Sequence, residues 1–140
     1  MINIKLLLQE FVEKSEDYTL IFDTPSGINI SVDSVKTKKT LWFNIIENSN
    51  ISDSTSGLSC VLNRNLEIWL FKDAAKESEG DEYNVILDEL RNDVIGLFGF
   101  LSKKINVSSG NIQTAVDEDD RNLAAIVLNI TTEEVINYCD

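Results

Sequence analysis

The sequence predicts an α+β fold, with one mostly antiparallel sheet, an N-terminal helix and one long helix packed on the sheet. Three observations support this class. Apolar residues recur at helical spacing in two segments, they alternate with polar residues in several others, and the helices do not alternate regularly with the strands. The 140 residues contain no repeat and no linker, so we expect a single domain over residues 1–140.

The N-terminal segment is predicted to be a helix over residues 3–14. Its apolar side chains fall on one face and are Ile4, Leu7, Leu8, Phe11 and Val12. Asn3 is a suitable N-cap, and a polar run at residues 14–17 ends the pattern.

Three strands are predicted next. Residues 18–22 and 28–32 both alternate, and residues 24–27 between them contain a proline and a glycine, so we expect a β-hairpin. Residues 41–47 carry apolar groups on both faces. That pattern is typical either of a central strand or of a strand that a neighbouring subunit covers.

A polar segment follows and is predicted to be a loop, because it is rich in serine and asparagine and poor in large apolar groups. Loops of this length are usually functional or mobile. Its residues are Asn48, Ser49, Asn50, Ile51, Ser52, Asp53, Ser54, Thr55, Ser56 and Gly57.

The remaining strand signals lie on either side of a second helix. Residues 58–72 alternate strongly, although the polar run 63–65 leaves open whether they form one strand or two. Residues 111–116 and 123–130 are predicted to form a hairpin. The tail, residues 131–140, either extends the last strand or forms a short helix.

The second helix is predicted over residues 82–104. Its apolar stripe consists of Tyr83, Ile86, Leu87, Leu90, Val94, Leu97, Phe98 and Leu101. Asp81 is placed to cap its start. Gly96 and Gly99 lower its helix propensity, which we interpret as a sign of close packing on the sheet.

The chain is strongly acidic. It has 12 basic and 24 acidic residues, a formal net charge of −12 and a pI near 4.3. Such a surface repels phosphate backbones, so binding to nucleic acid regardless of sequence is disfavoured. An acidic wall would nevertheless let a DNA molecule pass without adhering to it.

Neither a membrane anchor nor a signal peptide is expected. No apolar run approaches the roughly 20 residues that cross a bilayer, and the N-terminus lacks the long apolar core of a signal peptide. We therefore expect folding in a cytoplasm. Cys60 lies in an apolar strand and is expected to be buried and reduced, while Cys139, next to the last residue, is expected to have no role.

Catalytic groups are scarce, and we expect neither an enzyme nor a bound cofactor or metal. The chain has no histidine and no glycine-rich phosphate loop. Carboxylates are densest at Asp117, Glu118, Asp119 and Asp120. Three interpretations of these four residues are a solvated hairpin tip, an opportunistic cation site and a catalytic pair, and the first is favoured because the spacing is not that of an EF-hand.

Aromatic residues of two strands offer a candidate subunit interface. Trp42 and Trp69 lie opposite the more regular apolar face of their strands. Either a sheet covered on both sides buries them, or they join Ile46 and Phe71 in an apolar patch that a neighbouring subunit covers.

The order of the elements resembles that of a known family. An N-terminal helix, early strands, the polar segment 48–57 and the strand around residues 65–73 precede an acidic linker, a long helix and a final hairpin. In this order the chain resembles, over about residues 2–130, the small tail-terminator, tail-completion and neck-ring proteins of tailed bacteriophages, including those of the crAss-like group.

The resemblance implies a virion structural protein. Such a subunit would form a homo-oligomeric ring of six or twelve copies at the head–tail junction or in the tail, next to portal, neck or tail-tube proteins. DNA would pass through its lumen without specific binding, and the ring would assemble in the host cytoplasm. By this analogy, residues 48–57 would be an inter-ring or luminal element.

Two other classes remain. A small acidic cytosolic adaptor, or an immunity-type module, would use its negative face to neutralise a basic partner. A carboxylate-dependent hydrolase or metal-dependent nuclease would need the residues at 117–120 for its chemistry.

Overall fold

The computed structural model describes residues 1–15, 17–25, 39–53, 57–73, 80–115 and 123–138. These residues form two helices and six strands, and the α+β class predicted from the sequence is confirmed. In chain order the elements are α1 (Ile4–Ser15), β1 (Tyr18–Asp23), β2 (Lys39–Asn44), β3 (Asn48–Asp53), β4 (Ser59–Asp73), α2 (Gly80–Lys104), β5 (Val107–Ala115) and β6 (Leu123–Asn137).

The sheet is organised around β4, which is continuous through residues 63–65. Its order is β1-β2-β4-β6-β5, and β3 pairs with β4 on the same side as β2. The strand is 15 residues long, so β2 pairs with one end of it, at residues 68–71, and β3 with the other, at residues 60–65. Strands β1 and β2 are parallel, and all the other pairs are antiparallel.

Both helices pack on one face of this sheet, which we call the helix face. Alternation directs Leu66, Ile68 and Leu70 of β4 to this face. The core that they share with the helices and the other strands also contains Ile4, Leu8, Leu41, Phe43, Leu87, Leu90, Val94, Leu97, Leu101, Ala124, Ile126, Leu128 and Ile130. Every member of the predicted α2 stripe whose side chain the structure describes is buried or half-buried.

The opposite face of the sheet, which we call the second face, has its own small apolar cluster. Trp42, Phe71 and Ala125 are buried there, and Ile21 and Trp69 pack against them. Because both faces of β2 are buried, β2 is a central strand, which was one of the two predicted alternatives.

The helix boundaries follow local signals in the sequence. Asn3 caps α1, since its Oδ1 accepts a hydrogen bond from the Leu6 backbone N–H at 3.3 Å. Helix α2 begins at Gly80, so Asp81 lies inside it and is not the residue before it. No helix of the described residues is apolar over the length that a bilayer crossing requires.

A close approach of α2 to the sheet at its two glycines was predicted, and this is wrong. Apart from the helix's own backbone, a Cβ atom added at Gly96 or Gly99 would meet no atom of the described residues within 4 Å. The close approach lies elsewhere: a Cβ at Gly110 of β5 would come within 2.7 Å of the Phe98 ring. At this edge of the sheet the glycine that allows a close approach therefore belongs to β5, and Phe98 is the residue of α2 that packs against it.

The predicted loop at residues 48–57 is wrong for its first six residues, which form β3. All six side chains are exposed, so no apolar alternation marks the strand in the sequence. Its pairing with β4 forms the strand, in a register that places Asn48 opposite Asn65 and Asp53 opposite Cys60. Tertiary pairing has overridden local propensity here, and residues 54–56 lie outside the described part of the chain.

The C-terminal hairpin is confirmed, and the tail extends its second strand. Strand β6 pairs with β4 from Leu123 to Asn137 and with β5 from Ala125 to Thr132. Cys60 is a buried free thiol, as predicted. The predicted strand at 28–32, the acidic turn at 117–122 and Cys139 lie outside the described residues.

Candidate functional site: the exposed sheet edges

Two edge strands of the sheet are exposed and nearly uncharged. The six residues of β3 and the nine of β5 include one charged side chain, Asp53, in a chain of which 26% is charged. Side chains are exposed throughout β3 and from Ser108 to Thr114 in β5. Within the described residues, β3 pairs only with β4, and β5 pairs only with β6. Each therefore presents one row of backbone N–H and C=O groups that no described strand occupies.

Within the described residues, the usual protection of such edges is largely missing. Natural sheets protect their edges with lysine, proline, bulges or a covering element. Neither strand contains lysine or proline. Strand β5 has one irregularity, between Val107 and Ser109, and its pairing with β6 is regular from Ser109 to Ala115. Both edges are therefore competent to pair with a further strand.

An apolar groove lies beside β5 on the helix face. Its lining consists of Ile95 and Phe98 of α2, Gly110 and Ile112 of β5, and Leu128 of β6, and its volume is about 160 Å³. Ile95 and Ile112 are 60% and 44% exposed. The Phe98 ring packs directly over Gly110, which has no side chain, so a Cβ atom there would come within 2.7 Å of the ring.

An exposed isoleucine occupies the middle of the other edge. Ile51 of β3 is 73% exposed and lies opposite Leu62 in the register with β4. Leu62 is on the helix face, because it is four residues from Leu66 in a strand without irregularities. Ile51 and the groove beside β5 are therefore on the same face of the sheet.

The second face is polar where the aromatic cluster ends. Side chains of four neighbouring strands form two rows across it, one of Asn48, Asn65, Thr131 and Ser109 and one of Glu67, Asn129 and Asn111. These rows line an open groove of about 480 Å³, which Ile46 borders. Amides and hydroxyls hydrogen-bond to one another within it, for example Thr131 Oγ1 to Asn65 Oδ1 at 2.7 Å. Such a surface is well suited to hydration or to uncharged polar ligands.

The four residues predicted as an exposed interface patch do not form one. Trp42 and Phe71 are each 5% exposed, and the Trp42 indole N–H donates to the Asp23 carbonyl at 2.9 Å. Trp69 is half-buried, with its ring centroid 5.4 Å from that of Trp42. Only Ile46 is largely exposed. The aromatic side chains that the patch hypothesis assigned to a contact with a neighbour instead pack against one another on the second face of the sheet.

One polar cluster contains strongly perturbed side chains. The Tyr18 hydroxyl donates to the Asp93 carboxylate, and Lys39 Nζ lies 2.9 Å from Glu89 Oε1 and 3.1 Å from Asp93 Oδ2. Burial and the hydrogen bond to Asp93 raise the pKa of Tyr18 far above its usual range. Burial alone would lower the pKa of Lys39, but its hydrogen bonds to Glu89 and Asp93 outweigh this effect and raise it. The cluster joins β1 and β2 to α2.

A second ion pair, which is half-buried, holds the N-terminus against the sheet. Arg64 binds Glu47 through two nitrogens, at 2.8 and 2.9 Å, and donates to the Ile2 carbonyl at 3.1 Å. The Ile2 N–H donates in turn to Glu134 at 3.0 Å. Arg64 thus connects β4 to Glu47, between β2 and β3, and to Ile2, just before α1.

Among the described residues, no three carboxylate or thiol side chains are grouped as a metal site would require. The acidic residues at 117–120 lie outside the described part of the chain. No protein-family model matches the chain, and no curated protein sequence matches it significantly. The geometry of the exposed edges is therefore the main guide to function.

Proposed function

We propose that this chain is a virion structural protein that assembles, sheet edge to sheet edge, into a ring at the head–tail junction or in the tail of a tailed bacteriophage. The observation that carries the assembly is the pair of exposed, nearly uncharged edges, β3 and β5, in a chain of net charge −12. Exposed edges without protective charges are templates for further pairing.

The position of the two edges favours a ring over a dimer. Strands β3 and β5 lie on opposite sides of the central β4–β6 pair, so one copy offers a different edge to each neighbour. A contact between two different surfaces is head-to-tail. Such contacts form a ring when the rotations from each copy to the next add up to a full turn. The phage resemblance implies a ring of six or twelve copies, and head-to-tail contacts of this kind would close it.

The position in the virion rests on the order of elements and on charge. The described chain has the N-terminal helix, the long strand β4, the long helix α2 and the final hairpin on which the resemblance was based. An acidic wall in a DNA conduit would repel the phosphate backbone and let the duplex slide. The ring would thus contact portal, neck or tail-tube proteins at its rims and DNA only in passing.

The acidic charge also favours a second candidate, an adaptor or immunity-type module that binds a basic partner. Electrostatic complementarity would then supply the specificity and the association rate. An adaptor of this kind remains a monomer until its partner is present, whereas a ring subunit associates with itself.

The experiment that separates these candidates is light scattering over a concentration series, followed by electron microscopy of any large species. We expect a discrete mass of about six or twelve times 15.7 kDa, in particles with a central channel wide enough for duplex DNA. A monomer at every concentration would contradict the ring, and stoichiometric binding of the same sample to a basic protein would favour the adaptor.

A further inference from the structure

The direction of the two exposed edges allows them to pair with each other. Strand β3 is antiparallel to β4, β4 to β6, and β6 to β5, so β3 runs opposite to β5. If a second copy stands beside the first with its helix face on the same side, its β3 meets β5 in the antiparallel sense. Antiparallel pairing is slightly the more stable arrangement per residue, and it would continue the sheet from one copy to the next.

The faces of the sheet restrict the register of this pairing. Strand β3 has six residues, and the regular part of β5 has seven, Ser109 to Ala115, so two registers allow full overlap. Residues that are opposite each other in a sheet share a face, and a slip by one residue reverses every side chain. Ile51 is on the helix face, as is Ile112, whose partner Leu128 belongs to the core. Only the register that pairs β3 with residues 110–115 keeps the faces matched.

That register places Ile51 directly opposite Ile112, beside the apolar groove. On the second face it places Asn50 opposite Gln113 and Ser52 opposite Asn111, which are uncharged pairs able to hydrogen-bond. The isoleucine side chain would be covered by Ile95 and Phe98, which line the groove. In strand addition the main chain supplies affinity and a side-chain pocket supplies specificity, and both are present here.

The low charge of β3 and β5 allows two copies to approach each other at these edges. Two copies of net charge −12 repel each other. In the register above, one charged side chain, Asp53, enters the contact, and it lies at its end, opposite Gly110. The two edges are therefore a place where copies approach at low electrostatic cost.

We propose that β3 of one subunit adds to β5 of the next, with Ile51 inserted into the groove formed by Ile95, Phe98 and Ile112. This inference rests on the proposed self-assembly and names the contact that produces it. The partner is a second copy of this chain, and each copy uses one edge as donor and the other as acceptor.

Lysine substitutions test the contact, because an edge lysine is a natural barrier to strand addition. Ile51→Lys blocks the β3 edge and Ile112→Lys blocks the β5 edge. The matched control is Leu6→Lys, which adds the same charge at a side chain of similar exposure, 60%, on α1. We expect each edge variant to raise the protein concentration needed for half-assembly by on the order of a hundredfold, and the control to assemble like the wild type. Circular dichroism would verify that all three variants are folded.

Mixing the two edge variants tests the head-to-tail arrangement. The Ile51→Lys chain keeps its β5 edge, and the Ile112→Lys chain keeps its β3 edge. An equimolar mixture should therefore form a species of two subunits and nothing larger, while each variant alone stays monomeric.

A disulfide tests the register. An Ile51→Cys/Ile112→Cys double variant in a Cys139→Ser background should give a ladder of covalent oligomers on oxidation, because opposite cysteines in paired strands are within disulfide reach.

The outcomes separate the two proposals. If the wild type never assembles, the ring itself is wrong. If the wild type assembles and either lysine variant assembles equally well, the ring stands and the β3–β5 contact is wrong. A covalent dimer of Ile51→Cys alone would indicate β3 paired with β3, which would also overturn the head-to-tail contact.

Discussion

At the scale of single residues, the described structure depends on a few polar side chains that are buried with complementary partners. Tyr18 and Lys39 are opposite each other in the register of β1 and β2, and both bind Asp93 of α2. The cluster fixes how the helix lies on this side of the sheet. Loss of a buried partner leaves a charge or donor unsatisfied, which costs more than the pair itself contributes.

This cluster makes stability sensitive to alkaline pH. The pKa of both Tyr18 and Lys39 is raised by folding, so the folded chain keeps protons that the unfolded chain has lost. Their contribution is fully present below the unfolded pKa values, about 10 and 10.5, and it is lost as pH rises further. We expect the free energy of unfolding, measured in urea from about pH 8 to about pH 11.5, to fall above about pH 10.

Two variants test whether Tyr18 causes this loss of stability at alkaline pH. Tyr18→Phe should cost about 1–2 kcal/mol at neutral pH and should make the alkaline decline shallower, because Lys39 is then the one group of the cluster whose pKa folding raises. Tyr138→Phe, which removes an exposed hydroxyl bound to Asp53, should keep most of the decline. An equal slope in the wild type and Tyr18→Phe would show that the tyrosine is not involved.

At the scale of the elements, α2 contains glycines that lower its helix stability although no close contact requires them. Gly96 lies on the exposed side of this helix, where no contact requires a missing side chain. Glycine inside a helix is less favourable than alanine because it loses more backbone entropy. Gly57, which precedes β4, differs, because its φ of +68° is in the left-handed region that disfavours a Cβ atom.

Alanine at these two glycines should therefore act in opposite directions. Both sites open on empty space, so only the backbone distinguishes them. Gly96→Ala should stabilise the fold by about 1 kcal/mol, and Gly57→Ala should destabilise it by about 1 kcal/mol. Thermal or urea unfolding of the two variants measures this. Destabilisation by Gly96→Ala would mean that a contact covers this part of the helix in solution.

At the scale of the whole molecule, charge and edge pairing act against each other. The net charge of −12 keeps copies apart, and the uncharged edges bring them together. Repulsion between exposed charges is screened by salt, with a Debye length of about 10 Å at 0.1 M. Backbone hydrogen bonds and apolar contacts are far less sensitive to ionic strength.

Salt should therefore promote assembly. Between about 50 mM and about 500 mM NaCl we expect the concentration for half-assembly to fall by on the order of tenfold. Light scattering at fixed protein concentration measures the change, with potassium glutamate in place of NaCl as a control for ion-specific effects. Weaker assembly in salt would indicate that ion pairs, and not neutral edges, join the copies.

The sequence by itself determined the fold class, both helices and most of the strands. The stripes of α1 and α2 and the alternation of β4 are periodic enough to be recognised without a structure, because one face of each is more deeply buried than the other. Asn3 could also be identified as a cap from the sequence, because the role of a cap depends only on its neighbours in the chain.

Tertiary structure alone decided the identity of β3 and the composition of the candidate interface. Strand β3 has no buried face, so its sequence has no period, and only the register with β4 makes it a strand. One of the two predicted alternatives had both tryptophans face a neighbour, but Trp42 is buried and Trp69 half-buried within the chain, whereas Ile51 and Ile112 remain exposed. Periodicity reports which side chains are buried within an element, but exposure at a sheet edge depends on which strands are neighbours, and the topology alone sets that.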